Sequence, residues 1–462
     1  MQIYSNNKYY KLYHGSMLDM LSVIEKESID SIVTDPPYEL NFMNKGWDNS
    51  GIAFQKETWQ RCFDVLKPGG YLLAFGGSRT FHRIACTIED AGFEIRDTIM
   101  WLYGSGFPKS MNIGLAIDKK LGLQGQRGVG GFNVGGIGEQ ENGSSKLYIK
   151  SNTDGSQKGA YKEYKSELSE KWAGWGTCLK PAYEPIIVAR KPCIGSCVDN
   201  VMKYGVGGIN IDECRVGDEE ITTNGGNKFP NLYGDFNECK ESTHNGRFPA
   251  NVILTYDETD FEEVCFGMPN TISGIRNPNG GKILDPEKGW NNNSMIDKTV
   301  RGFDDSGSAA RYFYCAKASV KDRDEGCDYL EDKKIAQSNQ AQAELKRGNE
   351  LDNGGMNKIL TRKNSHPTVK PTSLMQYLVR LVTPNGGTVL DPFNGSGSTG
   401  KAAMYEVLEN EKDFKYIGIE LTKEYLPISE ARINFVLDKI GKNETETVEK
   451  EYEQMDIFDF LK

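Results

Sequence analysis

The chain has 462 residues, enough for about three average domain units, and its 51 glycines exceed the usual ~7% share while apolar residues reach only 38%. This composition fits a globular body with large glycine-bearing loops and excludes collagen; no run reaches the ~20 apolar residues that span a bilayer, and the start, MQIYSNNKYYK, lacks a leader profile, so a cytoplasmic protein is expected. A formal net charge of −10, from 55 basic against 65 acidic residues, taken alone argues against a polyanion as partner.

The first hundred residues alternate strand-like runs with amphipathic stretches, the rhythm of a βαβ sheet. SIVT, at 31–34, reads as a buried strand that ends at Asp35-Pro36-Pro37-Tyr38. A helix is expected over 54–66, closed by the turn Lys67-Pro68-Gly69-Gly70, with a strand in the YLLAFGG that follows and another at 97–103. From 104 to 170 the chain is rich in Gly, Ser, Asn and Lys and reads as a loop far longer than the usual ~4 to 6 residues. YEPIIVAR, at 183–190, returns to the sheet. Ten cysteines are scattered with no CxxC pair; Cys193 and Cys197 come closest, and reduced thiols without metal are the expectation. Between 191 and 364 short β-like pieces, NVILTY (251–256) and RYFYCA (311–316), stand among glycine and asparagine turns, as in a second, irregular domain in or beside the sheet. Strong α/β character resumes with a helix at 372–382, a strand TVLDPF, a glycine turn, a helix over 400–408, a strand at 416–420 and a helix reaching residue 440.

The glycine turn, Asp391-Pro392-Phe393-Asn394-Gly395-Ser396-Gly397-Ser398-Thr399-Gly400, puts bare backbone amides and a helix N-terminus at the carboxyl edge of a strand, an anion-friendly nucleotide pocket. It satisfies three templates. GSGSTG fits the dinucleotide pattern, with Glu420 placed 20 residues past Gly400 for a ribose. GSGSTGK fits most of a P-loop, but Ala402 stands where a magnesium-binding Ser or Thr belongs. The third is S-adenosylmethionine, whose carboxylate, ammonium and ribose would meet the helix N-terminus, Asp391 and Glu420.

Asp35-Pro36-Pro37-Tyr38 decides among them. Two prolines fix the backbone and cannot donate, so the Pro36 carbonyl and the Asp35 carboxylate are held out as acceptors beside Tyr38. Such a site suits an amino group on a flat ring. The lone pair of a nucleobase amine is delocalised into the ring, and two acceptors gripping its hydrogens favour a pyramidal nitrogen while Tyr38 stacks the base.

These residues resemble the amino-group DNA methyltransferases that use S-adenosylmethionine, in the permuted order where the DPPY half precedes the cofactor half. The resemblance covers roughly 12–107 and 365–433, and includes HPTVKP at 366–371, DPFNGSGSTG and GIE at 418–420. It implies an α/β, Rossmann-like, doubly wound and mostly parallel sheet of the class I methyltransferase kind, with an inserted irregular target-recognition region. The expected division is a catalytic half at 1–190 with the long loop 104–171, a recognition insert at 191–364, and a cofactor half with an acidic helical tail at 365–462. Asp35, Pro36, Pro37 and Tyr38 would be catalytic. Asp391, Phe393, Gly395, Ser396, Gly397, Thr399 and Glu420 would hold the cofactor, with Thr368 and Lys370 near its methionine carboxylate. His14-Gly15-Ser16-Met17-Leu18 would face its adenine, Ser16 replacing the usual acid.

Charge distribution suits a DNA partner, since 405–462 carries 8 basic and 15 acidic residues whereas 265–323 carries 9 basic and 6 acidic. Arg247, Arg276, Arg301, Arg311 and Lys317, with Lys321 and Arg323, are the expected contacts to phosphates or base edges. The expected reaction is methyl transfer to the exocyclic amine of an adenine flipped out of double-stranded DNA. Cytosine N4, a guanine amine in RNA and a P-loop ATPase acting on DNA stand as rivals, and the resemblance leaves room for a restriction endonuclease partner and a homodimer.

Overall fold

The computed structural model describes residues 2–40, 46–103, 110–123, 164–223, 242–256, 270–273, 305–308, 313–317, 320–336, 345 and 359–441. The chain opens with β1 (Gln2–Asn6), β2 (Tyr10–His14), α1 (Met17–Leu21), β3 (Ile29–Thr34), α2 (Lys56–Val65), β4 (Leu66–Phe75), α3 (Phe81–Asp90) and β5 (Glu94–Tyr103). Next come α4 (Ile113–Lys120), α5 (Glu167–Lys171), β6 (Tyr183–Arg190), α6 (Cys197–Tyr204), β7 (Val216–Thr223), β8 (Ser242–Arg247) and β9 (Val252–Tyr256). After them stand β10 (Asn270–Ser273), β11 (Asp305–Ser308), β12 (Tyr314–Lys317), α7 (Val320–Asp324), β13 (Lys333–Ala336) and β14 (Ile359–Arg362). The final part holds α8 (Thr372–Val382), β15 (Thr388–Asp391), α9 (Ser398–Asn410), β16 (Lys415–Glu420) and a helix α10 over 426–441.

Ten strands form one sheet in the order β1-β2-β16-β15-β3-β4-β6-β5-β9-β12. From β2 to β4 the neighbours run parallel, β6 is antiparallel to both its neighbours, and β5, β9 and β12 are again parallel. Alternation along the strands separates two cores: α1, α2 and α3 bury Met17, Trp59 and Ile84 against one face, while α8, α9 and α10 bury Leu378, Ala403 and Ile433 against the other. This is the doubly wound α/β arrangement. The chain leaves β3 toward β4 on one side, and leaves β15 toward β16 on the other. The crevice between β3 and β15 is therefore the topological switch point, where ligands of open α/β sheets bind beyond the strands' carboxyl ends.

Local signals misplace one turn. Lys67-Pro68-Gly69-Gly70 lies inside β4 because the far end of β6 captures it: Gly69 N–H donates to the Lys191 carbonyl at 3.0 Å and Lys191 N–H to the Gly70 carbonyl at 2.9 Å. Buried Asn200 of α6 adds a bond to the Pro68 carbonyl at 2.8 Å. Two helices, α4 and α5, stand within the stretch read as loop, and Asp118 joins them by accepting from Lys165 N–H and Ser166 Oγ, each at 2.8 Å. NVILTY and RYFYCA supply β9 and β12, which extend the main sheet at its edge, where Tyr314 stacks on Tyr377 of α8 at 4.1 Å.

α7 ties its segment to the last hundred residues. Asp322 accepts from Lys401 Nζ at 2.6 Å and from Thr372 N–H at 2.7 Å, and Glu325 pairs with Lys401 at 2.7 Å. Among the described residues no helix is long and apolar enough to cross a membrane.

Candidate active site

Register fixes where the two motifs meet. β3 and β15 pair in parallel, with Ser31 opposite Val389 and Ile32 opposite Leu390, so the Asp35 turn and the Asp391 turn leave the same edge of the sheet side by side. Thr34, the residue before Asp35, donates its hydroxyl to Asp391 at 2.6 Å. Thr399 of α9 donates to the other Asp391 oxygen at 2.7 Å, and Phe393 N–H adds a third bond at 3.1 Å. Burial pushes the Asp391 carboxyl up to about 6.

The glycine turn is fastened from several sides. Gly395 and Gly397 take left-handed φ of 51° and 72°; a Cβ on Gly395 would come within 2.9 Å of His366 Nε2, and one on Gly397 within 2.9 Å of Ser429 Cα. Buried Arg432 grips the turn from below, donating to the Ser396 carbonyl and the Ser398 hydroxyl, each at 2.9 Å. Glu420 ends β16 and accepts from Gly395 N–H at 2.7 Å and Thr422 N–H at 2.6 Å, and burial pushes its carboxyl up to about 7. β2 lies beside β16 with His14 opposite Glu420, which brings Ser16, the N-cap of α1, to the same edge. Phe393 packs half-buried near Trp59, with ring centroids 6.5 Å apart. Burial pushes the His366 imidazole down to about 3, so it stands neutral and its Nδ1 donates to the Thr368 carbonyl at 2.6 Å.

The DPPY side is a closed polar cluster under aromatic rings. Lys370 Nζ meets Asp35 Oδ2 at 2.7 Å, Tyr38 Oη at 3.1 Å and Glu184 at 3.2 Å. Tyr38 donates in turn to Glu184 at 2.8 Å. The rings of Tyr38, Phe75 and Trp101 surround the ammonium at 5.3, 4.9 and 5.9 Å. Burial raises the Asp35 carboxyl, and the Lys370 charge pulls it back. Asp35 Oδ1 is buried and accepts no hydrogen bond from the described residues. An orphan acceptor of this kind costs about 1 to 3 kcal/mol unless a donor arrives.

Lys370 thus stands at Asp35, while Thr368 stays near the glycine turn through His366. Lys401, the lysine of the P-loop pattern, is fully buried on Asp322 and Glu325, and Ala402 packs into the core. Arg247 is buried in the β7–β8 hairpin on Glu219, and Arg323 donates to the His366 carbonyl. Lys317 lies on β12; Arg276, Arg301 and Arg311 fall outside the described residues. Cys193 and Cys197 place their sulfurs 3.7 Å apart, and among the described residues no group of three metal-ligating side chains occurs. Sequence reasoning missed Glu184, whose only signal is a carboxylate just before the apolar run of β6, and Arg432, which a helical pattern reads as a surface residue.

Short stretches match curated proteins. The chain is 32% identical over 106 residues to the type II methyltransferase M.HpaI of Haemophilus parainfluenzae, covering 22% of this chain and 34% of that one. It is 40% identical over 68 residues to M2.DpnII of Streptococcus pneumoniae, covering 15% and 23%. It is 30% identical over 110 residues to the DNA adenine methyltransferase YhdJ of Escherichia coli K12, covering 22% and 35%. The aligned parts thus span between 23% and 35% of these relatives' length. Among solved structures, M1.HpyAVI aligns over 92% of this chain and 98% of its own with a TM-score of 0.35 at 15% identity. The cytosine-N4-specific PvuII DNA methyltransferase aligns over 93% and 90% with a TM-score of 0.39 at 14% identity. The profile of the N6/N4 methyltransferase family, described as DNA methylase, matches residues 29–431, from the strand before Asp35 through the glycine turn to α10, and the chain belongs to that family.

Proposed function

We propose that the protein transfers a methyl group from S-adenosylmethionine to the N6 amine of an adenine flipped out of double-stranded DNA. The observation that carries this reading is the buried Oδ1 of Asp35 at the switch point, which has no hydrogen-bond partner among the described residues and lies one residue from the Thr34 hydroxyl that binds Asp391. A donor N–H is the missing partner of such an oxygen, and the Pro36 carbonyl, set by the Asp35-Pro36-Pro37-Tyr38 backbone, supplies the second acceptor. Tyr38 presents a ring for the base to stack on.

The cofactor brings an electrophilic methyl on a sulfonium. Gly395, Ser396 and Gly397 allow close backbone approach, the Thr399 helix turn faces a carboxylate, Phe393 packs on the ligand, and Asp391 and Glu420 accept from its ammonium and ribose hydroxyls. Thr368 lies on the methionine side. Adenine is favoured over cytosine by the DPPY tetrapeptide and by the relative named a DNA adenine methyltransferase. Residues 1–190 serve as the catalytic half, 191–364 as the recognition region and 365–462 as the cofactor half. Lys317, Arg276, Arg301 and Arg311 provide DNA contacts in the middle segment; the buried ion pair of Arg247 suits it better to shaping the β7–β8 hairpin. A P-loop reading is disfavoured because Lys401 is spent on Asp322 and Glu325.

The test is to incubate the protein with duplex DNA and methyl-labelled cofactor, digest to nucleosides and identify the labelled base. N6-methyl-2′-deoxyadenosine is expected; label in N4-methyl-2′-deoxycytidine moves the reading to its rival, and no label removes it.

A further inference from the structure

We propose that Glu184 and Lys370 are a pair of positioning residues for the amine-accepting carboxylate: Glu184 fixes the Lys370 ammonium, and Lys370 holds one oxygen of Asp35 so that the other is presented to the target amine. This inference rests on the methyl-transfer reading above and gives that site a charge arrangement outside its DPPY and glycine motifs.

A lysine ammonium has three N–H donors, and Lys370 finds three acceptors: Asp35 Oδ2 at 2.7 Å, Tyr38 Oη at 3.1 Å and Glu184 Oε2 at 3.2 Å. A tripod of this kind leaves the ammonium no free direction, and the three surrounding rings favour a cation over water at that point. Glu184 is itself placed by β6 and held by the hydroxyls of Tyr38 at 2.8 Å and Tyr103 at 3.4 Å. The result is an asymmetric Asp35, with Oδ2 taken and Oδ1 buried without a hydrogen-bond partner among the described residues.

Two consequences follow. A buried carboxylate without a cation takes up a proton, and a protonated carboxyl donates where the amine needs an acceptor; Lys370 prevents this. Two carboxylates against one ammonium leave the cluster one negative charge, matched to the positive charge that grows on the amine nitrogen as the methyl arrives. The charged or titratable groups facing Asp35 are Lys370 from the segment before α8, Glu184 from β6, Tyr38 from its own turn and Asp391 from β15, with Tyr103 of β5 bonded to Glu184.

The experiment measures single-turnover methyl transfer against pH, together with cofactor affinity, for the wild type, Glu184→Gln, Lys370→Met and Lys370→Arg. Glu184→Gln keeps the Tyr38 bond but removes a negative charge beside Asp35, so the acid limb of the rate profile moves to lower pH. Lys370→Met moves that limb to higher pH and lowers the rate at pH 7 by about a hundredfold; Lys370→Arg keeps the limb near its wild-type place. Cofactor affinity stays within about threefold throughout, as expected for groups outside the cofactor's contacts. Glu184→Gln and Lys370→Met limbs that move together or stay put overturn the proposal, as does a Lys370→Met protein that loses cofactor binding, which would return Lys370 to the methionine carboxylate. If Lys370→Met does not fold, a Glu184→Gln limb that moves to lower pH while that of Lys370→Arg stays in place still decides. A wild type that transfers no methyl at any pH removes the underlying reading, whereas an active wild type with unshifted variants removes only this one.

Discussion

Gly397→Ala perturbs the cofactor turn at its tightest point. The residue holds φ at 72°, where an L side chain costs about 1 to 2 kcal/mol. The added Cβ would also press on Ser429, coming within 2.9 Å of its Cα. Ser429 hydrogen-bonds Asn394 at 3.0 Å, and displacing it costs about one more hydrogen bond, ~1 kcal/mol. The turn relieves the strain by shifting away from α10, which misplaces the amides of 395–397. A penalty of about 2 to 3 kcal/mol corresponds to roughly 30- to 150-fold weaker cofactor binding. Titration calorimetry with S-adenosylmethionine measures it, with a thermal melt to separate lost folding from lost affinity. Affinity within threefold of the wild type in a folded Gly397→Ala protein would refute the argument that this turn shapes the cofactor site.

Glu420 gives a pH signature: burial raises its carboxyl to about 7, and ribose hydroxyls favour the ionised form, so cofactor binding should tighten from pH 6 to pH 8. That slope should flatten in Glu420→Gln; an unchanged slope places the titration elsewhere. Asp322→Ala leaves fully buried Arg432 and Lys401 short of a partner and should cost about 3 kcal/mol in urea unfolding, less than the upper range for broken buried pairs because Glu325 still reaches Lys401. A loss under about 1 kcal/mol would mean that α7 does not brace the cofactor half. Cys197, exposed at the start of α6, has its thiol lowered by the Cys193 hydrogen bond and by Arg190, whereas burial raises Cys193. Limited alkylation at pH 7.5 followed by peptide mass mapping should therefore label Cys197 before Cys193; the reverse order contradicts the geometry.

What the sequence made legible was local. A continuous apolar run ending in Asp35-Pro36-Pro37-Tyr38, and a strand running into Gly395 and Gly397, carry their own geometry, because proline and glycine restrict the backbone wherever they stand. Pairing across the sheet is different. Nothing within Lys67-Pro68-Gly69-Gly70 reveals that Lys191, far along the chain, will draw it into β4. The same holds for β9 and β12, whose alternation predicts strands but not that they extend the main sheet beside β5. At the site, the family resemblance of HPTVKP named Lys370, for the methionine carboxylate, but not its partner, which depends on β6 carrying Glu184 across the sheet to Tyr38. Arg432 reads as an exposed helical arginine until the glycine turn supplies its acceptors.

The proposed function requires one edge of the sheet to join a methyl donor's seat to an amine acceptor built on Asp35. Asp35→Asn separates the two, since the amide keeps the size but replaces the anionic acceptor. Measured side by side, cofactor affinity should stay within about threefold of the wild type while single-turnover methylation of duplex DNA falls by a factor of about a thousand, as for loss of a group acting only in the transition state. Methylation that survives Asp35→Asn, or affinity that collapses with it, would contradict the claim.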